Sequence, residues 1–397
     1  MPETGDLREA QVAFVCTNIG RGHPFYLDGV ISAFNRDYPQ IRYLKSDIFR
    51  LSRNTSRLAW TAVRQLYQIG ARGGIISDQY NRLRNGLASE KELGLASTLL
   101  GKDVRLYLAE YKGPVVVSHP LLALILKDQN AIIYQHGELA APNEALIDGC
   151  FRIFVPTAQT AKAFSDGHIR SENIIVTGHC IEHDLIELAI PAYNARLKRI
   201  KYAKSLTVGL FSSGANPREH IRKLLLVVQS LISSGHKVVV FAGLAEKCAD
   251  QFTRFLQSAA GQMATGNSLD DRVLILHAAN RQEFDAQVVK IFLRLDLFVA
   301  PAHERTNWAV GLGLPQFILC PHLGTYAPLN ASIAITRGVA AEIPNDNVAG
   351  NFATFLTDYR NTGRIEQMAA NGFGHSDLDG FSHCAREIST LISSWRA

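Results

Sequence analysis

No apolar run in this 397-residue sequence approaches the ~20 residues that a helix needs to cross a bilayer. The longest notable one is the six-residue LLALIL at 121–126. Cysteine is sparse and scattered. Cys16, Cys150, Cys180, Cys248, Cys320 and Cys384 form no CxxC pair and show no Cys/His spacing of a zinc module, so reduced, buried thiols in a cytoplasmic protein are expected. Low-complexity tracts are missing, and the opening MPETGDLREAQ is too polar and acidic for a secretory signal. Charge of either sign is also modest: the net +5 falls short of what a nucleic-acid binder carries, and no nucleic-acid partner is expected. A mild positive excess does suit a phosphorylated ligand or an anionic membrane surface.

What is present is a folded-protein mixture, 47% hydrophobic and 19% charged, long enough for two domains. Short β-branched runs alternate with longer helical segments. VAFVCT, IRYLK, PVVVSH, AIIYQ, FRIFVP and NIIVTG occupy the first half; LTVGLFSS, KVVVFAG, RVLILHA, LDLFVAPA, PQFILCPH and GVAAEI occupy the second. Runs apolar on both faces and separated by helices predict buried parallel sheets. The expected fold is therefore α/β, with two doubly wound Rossmann-like domains across a cleft. The expected limits are 1–190 for the first domain and 191–205 for a basic linker. Residues 206–380 form the second domain, and a helix at 381–397 ends the chain.

In open parallel sheets ligands gather beyond the carboxyl ends of the strands. That rule singles out Asn18 to His23, His119, His136-Gly137-Glu138, Ser212 to Asn216, His277 to Asn280, His303 to Asn307 and His322 to Tyr326. Residues 36–84 form a separate feature, with ten Lys/Arg against three Asp and with Leu58, Trp60, Val63, Leu66, Tyr67 and Ile69 among them. Bases interleaved with large apolar side chains predict a helix that lies on an anionic membrane surface, peripheral on the inner face of the cytoplasmic membrane.

Four stretches in order carry a resemblance to a known family: GRGHP (20–24), RIFVPTAQTAKAFSDGHIRSENIIVTGHCI (152–181), LTVGLFSSGAN (206–216) and DLFVAPAHERTNWAVGLGLPQFILCPHLGTYAPLNASIAITRGVA (296–340). Together they resemble the GT-B glycosyltransferases of the MurG and diacylglycerol glycosyltransferase branch. The 36–84 stretch is similar to the variable region of the glycolipid-forming members. The resemblance implies a nucleotide-sugar donor as co-substrate, no metal or other cofactor, and a lipid or lipid-linked acceptor. It also implies that the last helix crosses back onto the first domain.

Under that resemblance His23 is the catalytic base, and Gly20 and Gly22 make room for the donor sugar. Ser212, Ser213, Gly214 and Asn216 would hold the diphosphate, with His303, Glu304, Arg305, Thr306 and Asn307 as a second donor-binding group. Arg218 and His220 could add charge. Backbone around Ala278 would meet the nucleobase, and His119, His136 and Glu138 would line the acceptor side. One departure stands out: the position of the family's ribose-gripping glutamate carries Trp308. The leading expectation is a metal-independent inverting hexosyltransferase. The alternatives are a non-catalytic GT-B sugar-nucleotide-binding protein and a sugar-nucleotide 2-epimerase, which needs carboxylates around the sugar.

Overall fold

A computed structural model describes residues 7, 9–20, 22–74, 77, 79, 81–82, 94–244, 246–260 and 272–395. Arg21 and, within the basic stretch, residues 75, 76, 78, 80, 83 and 84 lie outside the described residues. Among those described, twelve strands form two six-stranded parallel sheets. The first comprises β1 (Val12–Cys16), β2 (Tyr43–Asp47), β3 (Val115–Val117), β4 (Ile132–Gln135), β5 (Arg152–Val155) and β6 (Ile174–Val176), in the order β2-β1-β3-β4-β5-β6. The second comprises β7 (Thr207–Phe211), β8 (Lys237–Gly243), β9 (Val273–His277), β10 (Leu297–Ala300), β11 (Gln316–Leu319) and β12 (Ala340–Ile343), in the order β12-β11-β10-β7-β8-β9. The α/β class with two Rossmann-like sheets is as the sequence predicts, and each expected run contains a strand.

The chain divides into two compact units. The N-terminal unit runs to Glu182 and takes in Gly324–Leu329 and the segment from Asp377 onward; the C-terminal unit is His183–Leu323 with Asn330–Ser376. In the N-terminal unit, strand alternation deals residues to two cores. Ala13, Val15, Val115 and Val117 enter one; Val12, Phe14, Cys16 and Val116 enter the other. The second core is closed by the Gly380–Trp395 helix, whose Phe381, Cys384, Ala385 and Ile388 pack with Phe25, Leu27 and Val30 of the Gly22–Asp37 helix.

In the C-terminal unit the same alternation places Val208, Leu210, Val238, Val240, Leu297 and Val299 in an aliphatic core. The opposite face is aromatic. Phe211 stacks on Phe241 with centroids 4.1 Å apart, and Trp308 meets Phe211, Phe292 and Phe298 at 5.6 to 6.2 Å. Trp308 is 1% exposed, so the position expected to grip a ribose is filled by a core side chain.

The segment 191–205, expected as a linker, is helical from Ala189 to Tyr202 and built into the C-terminal unit. Its Arg196 is fully buried, and the guanidinium donates to the carbonyls of Leu295, Leu312 and Gly313. Basic composition misleads here because one of the bases is spent inside, neutralising the carbonyl ends of neighbouring elements.

The Asn54–Gly70 helix also departs from expectation. Trp60 is fully buried and donates Nε1–H to the Leu100 carbonyl, while Val63 and Tyr67 pack against the core. Only Leu58, Leu66 and Ile69 of the six apolar residues remain exposed. Among the described residues no helix is long and apolar enough to cross a membrane.

Candidate functional site

Each sheet reverses strand order at one point, and there the loops diverge and leave room for a ligand. In the N-terminal unit that point lies between β1 and β3. Ser118, just past β3, donates its hydroxyl to the His23 carbonyl at 2.6 Å, tying the start of the Gly22–Asp37 helix to the end of β3. The His23 and His119 rings lie 4.6 Å apart as a result. His119 caps the Pro120–Leu126 helix: its Nδ1 accepts from the Leu121 amide, which leaves Nε2 as the nitrogen that can carry a proton.

Two more groups join this corner. His136, just past β4, is 2% exposed, with Nε2 at 3.0 Å from the Ala140 carbonyl and Nδ1 at 3.3 Å from the Tyr134 hydroxyl. Burial pushes its pKa down to about 3, so it stays neutral. It is a packed residue, not the solvent-facing contact that its place after a strand suggests. Tyr326 lies 6.2 Å from His23 and 6.1 Å from His136 between ring centroids. Thr325 beside it donates its hydroxyl to Glu144.

Glu138 and Glu144 are each 8% exposed, and both act electrostatically on the Tyr134 hydroxyl. Sequence reading missed Glu144, and it placed Thr325 and Tyr326 only at a strand end of the second half. Glu144 sits in a short 3-10 turn well past β4, and Gly324–Leu329 reaches the N-terminal unit from a distant part of the chain. No local spacing signals either.

Gly20 has a different reason from the one expected. Its φ of +72° requires glycine, and a Cβ there would meet the Tyr67 hydroxyl at 2.8 Å. The room beside this glycine is taken by Tyr67, not left for a sugar. Gly22 opens the helix. Asn18 donates its side-chain amide to Asp47 at 2.6 Å.

In the C-terminal unit the reversal lies between β7 and β10. After β7, Ser212 and Ser213 lead through exposed Gly214 to Asn216, whose φ of +47° makes the turn into Pro217 and the Arg218–Ser233 helix. Arg218 is exposed. His220 is fully buried, with Nε2 at 2.8 Å from the Pro321 carbonyl, so it is part of the packing.

After β10 come His303, Glu304 and Arg305, then buried Thr306 and Asn307. Arg305 lies over the Phe211 ring at 4.6 Å and the Trp308 ring at 5.2 Å, and pairs with Glu304 at 3.0 Å. Burial alone would raise the Glu304 carboxyl, but the Arg305 guanidinium and His303 outweigh it and hold it below the usual range. Burial lowers the pKa of His303, with Glu304 opposing.

Three donors at this corner lack an acceptor among the described residues although buried: Ser212 Oγ, Thr306 Oγ1 and Arg305 Nε. Each such donor costs about 1–3 kcal/mol if left unpaired. As a set beside one strand reversal, they are donor capacity that the described residues leave unused.

The backbone around Ala278 is not available in the expected way. The Ala278 amide donates to Gly243, and Ala279 donates to Glu283 while Asn280 accepts from the Glu283 amide. This reciprocal cap uses the amides that were expected to meet a nucleobase. Asp377-Leu378-Asp379, an Asp-x-Asp string passed over in the sequence, is also engaged: Asp377 accepts from the Asp379 amide and pairs with His383 at 3.3 Å, and Asp379 accepts from Ser382.

No family model matches the sequence, and no curated protein does. Solved structures do share the fold over nearly the whole chain. An S. aureus MnaA–UDP co-structure superposes with a TM-score of 0.56 at 13% identity, covering 97% of this chain and 96% of its own. A UDP-GlcNAc 2-epimerase from Methanocaldococcus jannaschii, in complex with UDP-GlcNAc and UDP, gives 0.52 at 13% identity, with 96% and 99% covered. A UDP-GlcNAc 2-epimerase from Neisseria meningitidis bound to UDP-GlcNAc gives 0.51 at 12% identity, with 96% and 99% covered. These matches overturn the expectation of a MurG-like hexosyltransferase acting on a lipid acceptor, because solved structures of UDP-GlcNAc 2-epimerases align with the chain nearly end to end. What this chain shares with them is a GT-B-like pair of Rossmann-like domains.

Proposed function

We propose that the chain is an enzyme that binds a UDP-N-acetylhexosamine and inverts its C2 centre. The observation that carries the reading is the trio of buried, acceptor-less donors at the β7/β10 reversal: Ser212 Oγ, Thr306 Oγ1 and Arg305 Nε. Diphosphate oxygens are the acceptors these hydroxyl and guanidinium donors suit. The UDP and UDP-GlcNAc carried by the structurally similar proteins support the same ligand class.

Epimerisation breaks the C2–H bond and remakes it on the opposite face. That hydrogen has no adjacent ring carbonyl to acidify it. A route with no redox partner therefore couples its loss to departure of UDP from C1. The C–H pair becomes the C1=C2 double bond, the C1–O pair leaves with the diphosphate, and the proton passes to a protein base. Return of a proton to the other face, with UDP re-adding at C1, completes the inversion. Two acid/base groups are needed, and the N-terminal unit offers Glu138 just past β4, Glu144 in the 3-10 turn further on, and His23 and His119 beside β1 and β3.

Incubation of the chain with UDP-GlcNAc in D2O tests the reading. The expected product is the C2 epimer carrying deuterium at C2; release of free sugar without epimer would reject it. Peripheral attachment to an anionic membrane stays a separate proposal. It rests on exposed Leu58, Leu66 and Ile69 on a helix that also bears Arg57 and Arg64, and vesicle co-sedimentation tests it.

A further inference from the structure

Strands β11 and β12 pair in parallel, Leu319 opposite Ile343, so the turn leaving β11 comes beside Glu342 of β12. There Cys320, His322 and Glu342 each offer a ligand atom within 4.8 Å of the others. His322 Nε2 is 2.8 Å from Glu342 Oε1 and 3.8 Å from Cys320 Sγ. A tetrahedral zinc ion with bonds of ~2.0–2.3 Å holds its ligand atoms roughly 3.3–3.8 Å apart. The sulfur is at that distance already, and the imidazole–carboxylate contact has to open by only about half an ångström.

The turn that carries two of the three groups is held from behind. His220 Nε2 bonds the Pro321 carbonyl and Lys223 Nζ donates to the Cys320 carbonyl, both from the Arg218–Ser233 helix and both buried. Backing of this kind fixes ligand positions before a metal arrives. His322 Nδ1 has no partner among the described residues, so the ring is oriented by its Nε2 contacts.

We propose that Cys320, His322 and Glu342 bind one zinc-like divalent cation through three protein ligands, with the fourth position open. A thiolate, an imidazole and a carboxylate together select zinc over magnesium or calcium, which prefer all-oxygen sites. The corner follows β11, next to β10 in the strand order, with His322 near enough to His303 to act on it electrostatically, and the zinc site is argued without using the epimerase reading. The cation clamps the edge strand β12 to the turn after β11.

The test uses the full chain, stripped with chelator, kept reduced and titrated with Co2+. One equivalent should produce a near-ultraviolet sulfur-to-cobalt charge-transfer band with tetrahedral d–d bands in the visible, and Zn2+ should bleach both. Cys320→Ser should lose the charge-transfer band, and Glu342→Gln should weaken cobalt binding about tenfold or more, each with the parent's far-ultraviolet circular dichroism. A wild-type chain with no such band overturns the proposal without recourse to any variant. A band that survives Cys320→Ser overturns it as well.

Discussion

The His23 and His119 rings lie 4.6 Å apart, tilted by 53°, because the Ser118 hydroxyl bonds the His23 carbonyl and fastens the first helix to the end of β3. The pair occupies the strand reversal of the N-terminal unit, and His23 also meets Tyr326. If these rings move protons for the proposed reaction, His23→Ala should lower kcat roughly 10²–10⁴-fold while the fold persists. Steady-state epimerisation kinetics with a parallel melting curve check this. A loss confined to KM would assign His23 to binding alone.

Glu138 and Glu144 are two of the acid/base groups offered for the proposed C2 inversion. Glu138→Gln and Glu144→Gln should each reduce kcat by a similar roughly 10²–10⁴-fold and slow deuterium uptake at C2 in step. Thr325→Val removes the donor to Glu144 and should have a smaller effect, about tenfold, through lost positioning. Proton NMR of the C2 position reads both. Equal activity in the two glutamine variants and the parent would remove these residues from the chemistry.

Gly20 carries two constraints at once, a φ of +72° and the Tyr67 hydroxyl 2.8 Å from where a Cβ would stand. Gly20→Ala should cost about 1–2 kcal/mol from the backbone alone, plus the displacement of Tyr67. Adding Tyr67→Phe, which removes the nearest atom, should recover part of the loss but not the backbone share. Urea denaturation of the parent, Gly20→Ala and the double variant separates the two contributions.

His136 makes stability depend on pH. Its folded pKa is about 3, well below the ordinary value of about 6.5, because burial disfavours the charged ring. Between those values the unfolded chain binds a proton that the folded chain does not, so stability is full above pH 6.5 and falls as pH drops. This one residue should remove roughly 1.5–2 kcal/mol between pH 6.5 and pH 5. Chemical denaturation at the two pH values should therefore show a smaller drop for His136→Gln than for the parent.

Short unbroken apolar runs made the twelve described strands legible, because strands such as β1 and β3 must feed cores on both faces. The rule that ligands gather at strand ends placed His23, His119, Ser212 and Arg305 at the two reversals. It failed for Ala278, whose neighbouring amides are consumed by the Asn280–Glu283 cap, and for His136, which is a packing residue.

Charge and composition misled at Arg196 and Trp60, where a base and an aromatic read as linker or membrane-surface chemistry are buried in the core. Glu144 was invisible for another reason, and nothing in the sequence joined it to Thr325 and Tyr326. Their proximity comes from a segment that joins the N-terminal unit across a long sequence separation, and periodicity carries no information about such contacts.

The most direct measurement of the central claim is proton NMR of the purified chain with UDP-GlcNAc in D2O, alongside a thermal melt with UDP. The account predicts a C2-deuterated epimer and a stabilisation by UDP of about 2.7 kcal/mol at a hundredfold excess over Kd, abolished when Arg305 is replaced by alanine. A folded chain that leaves UDP-GlcNAc unchanged and melts at the same temperature with and without UDP would contradict it.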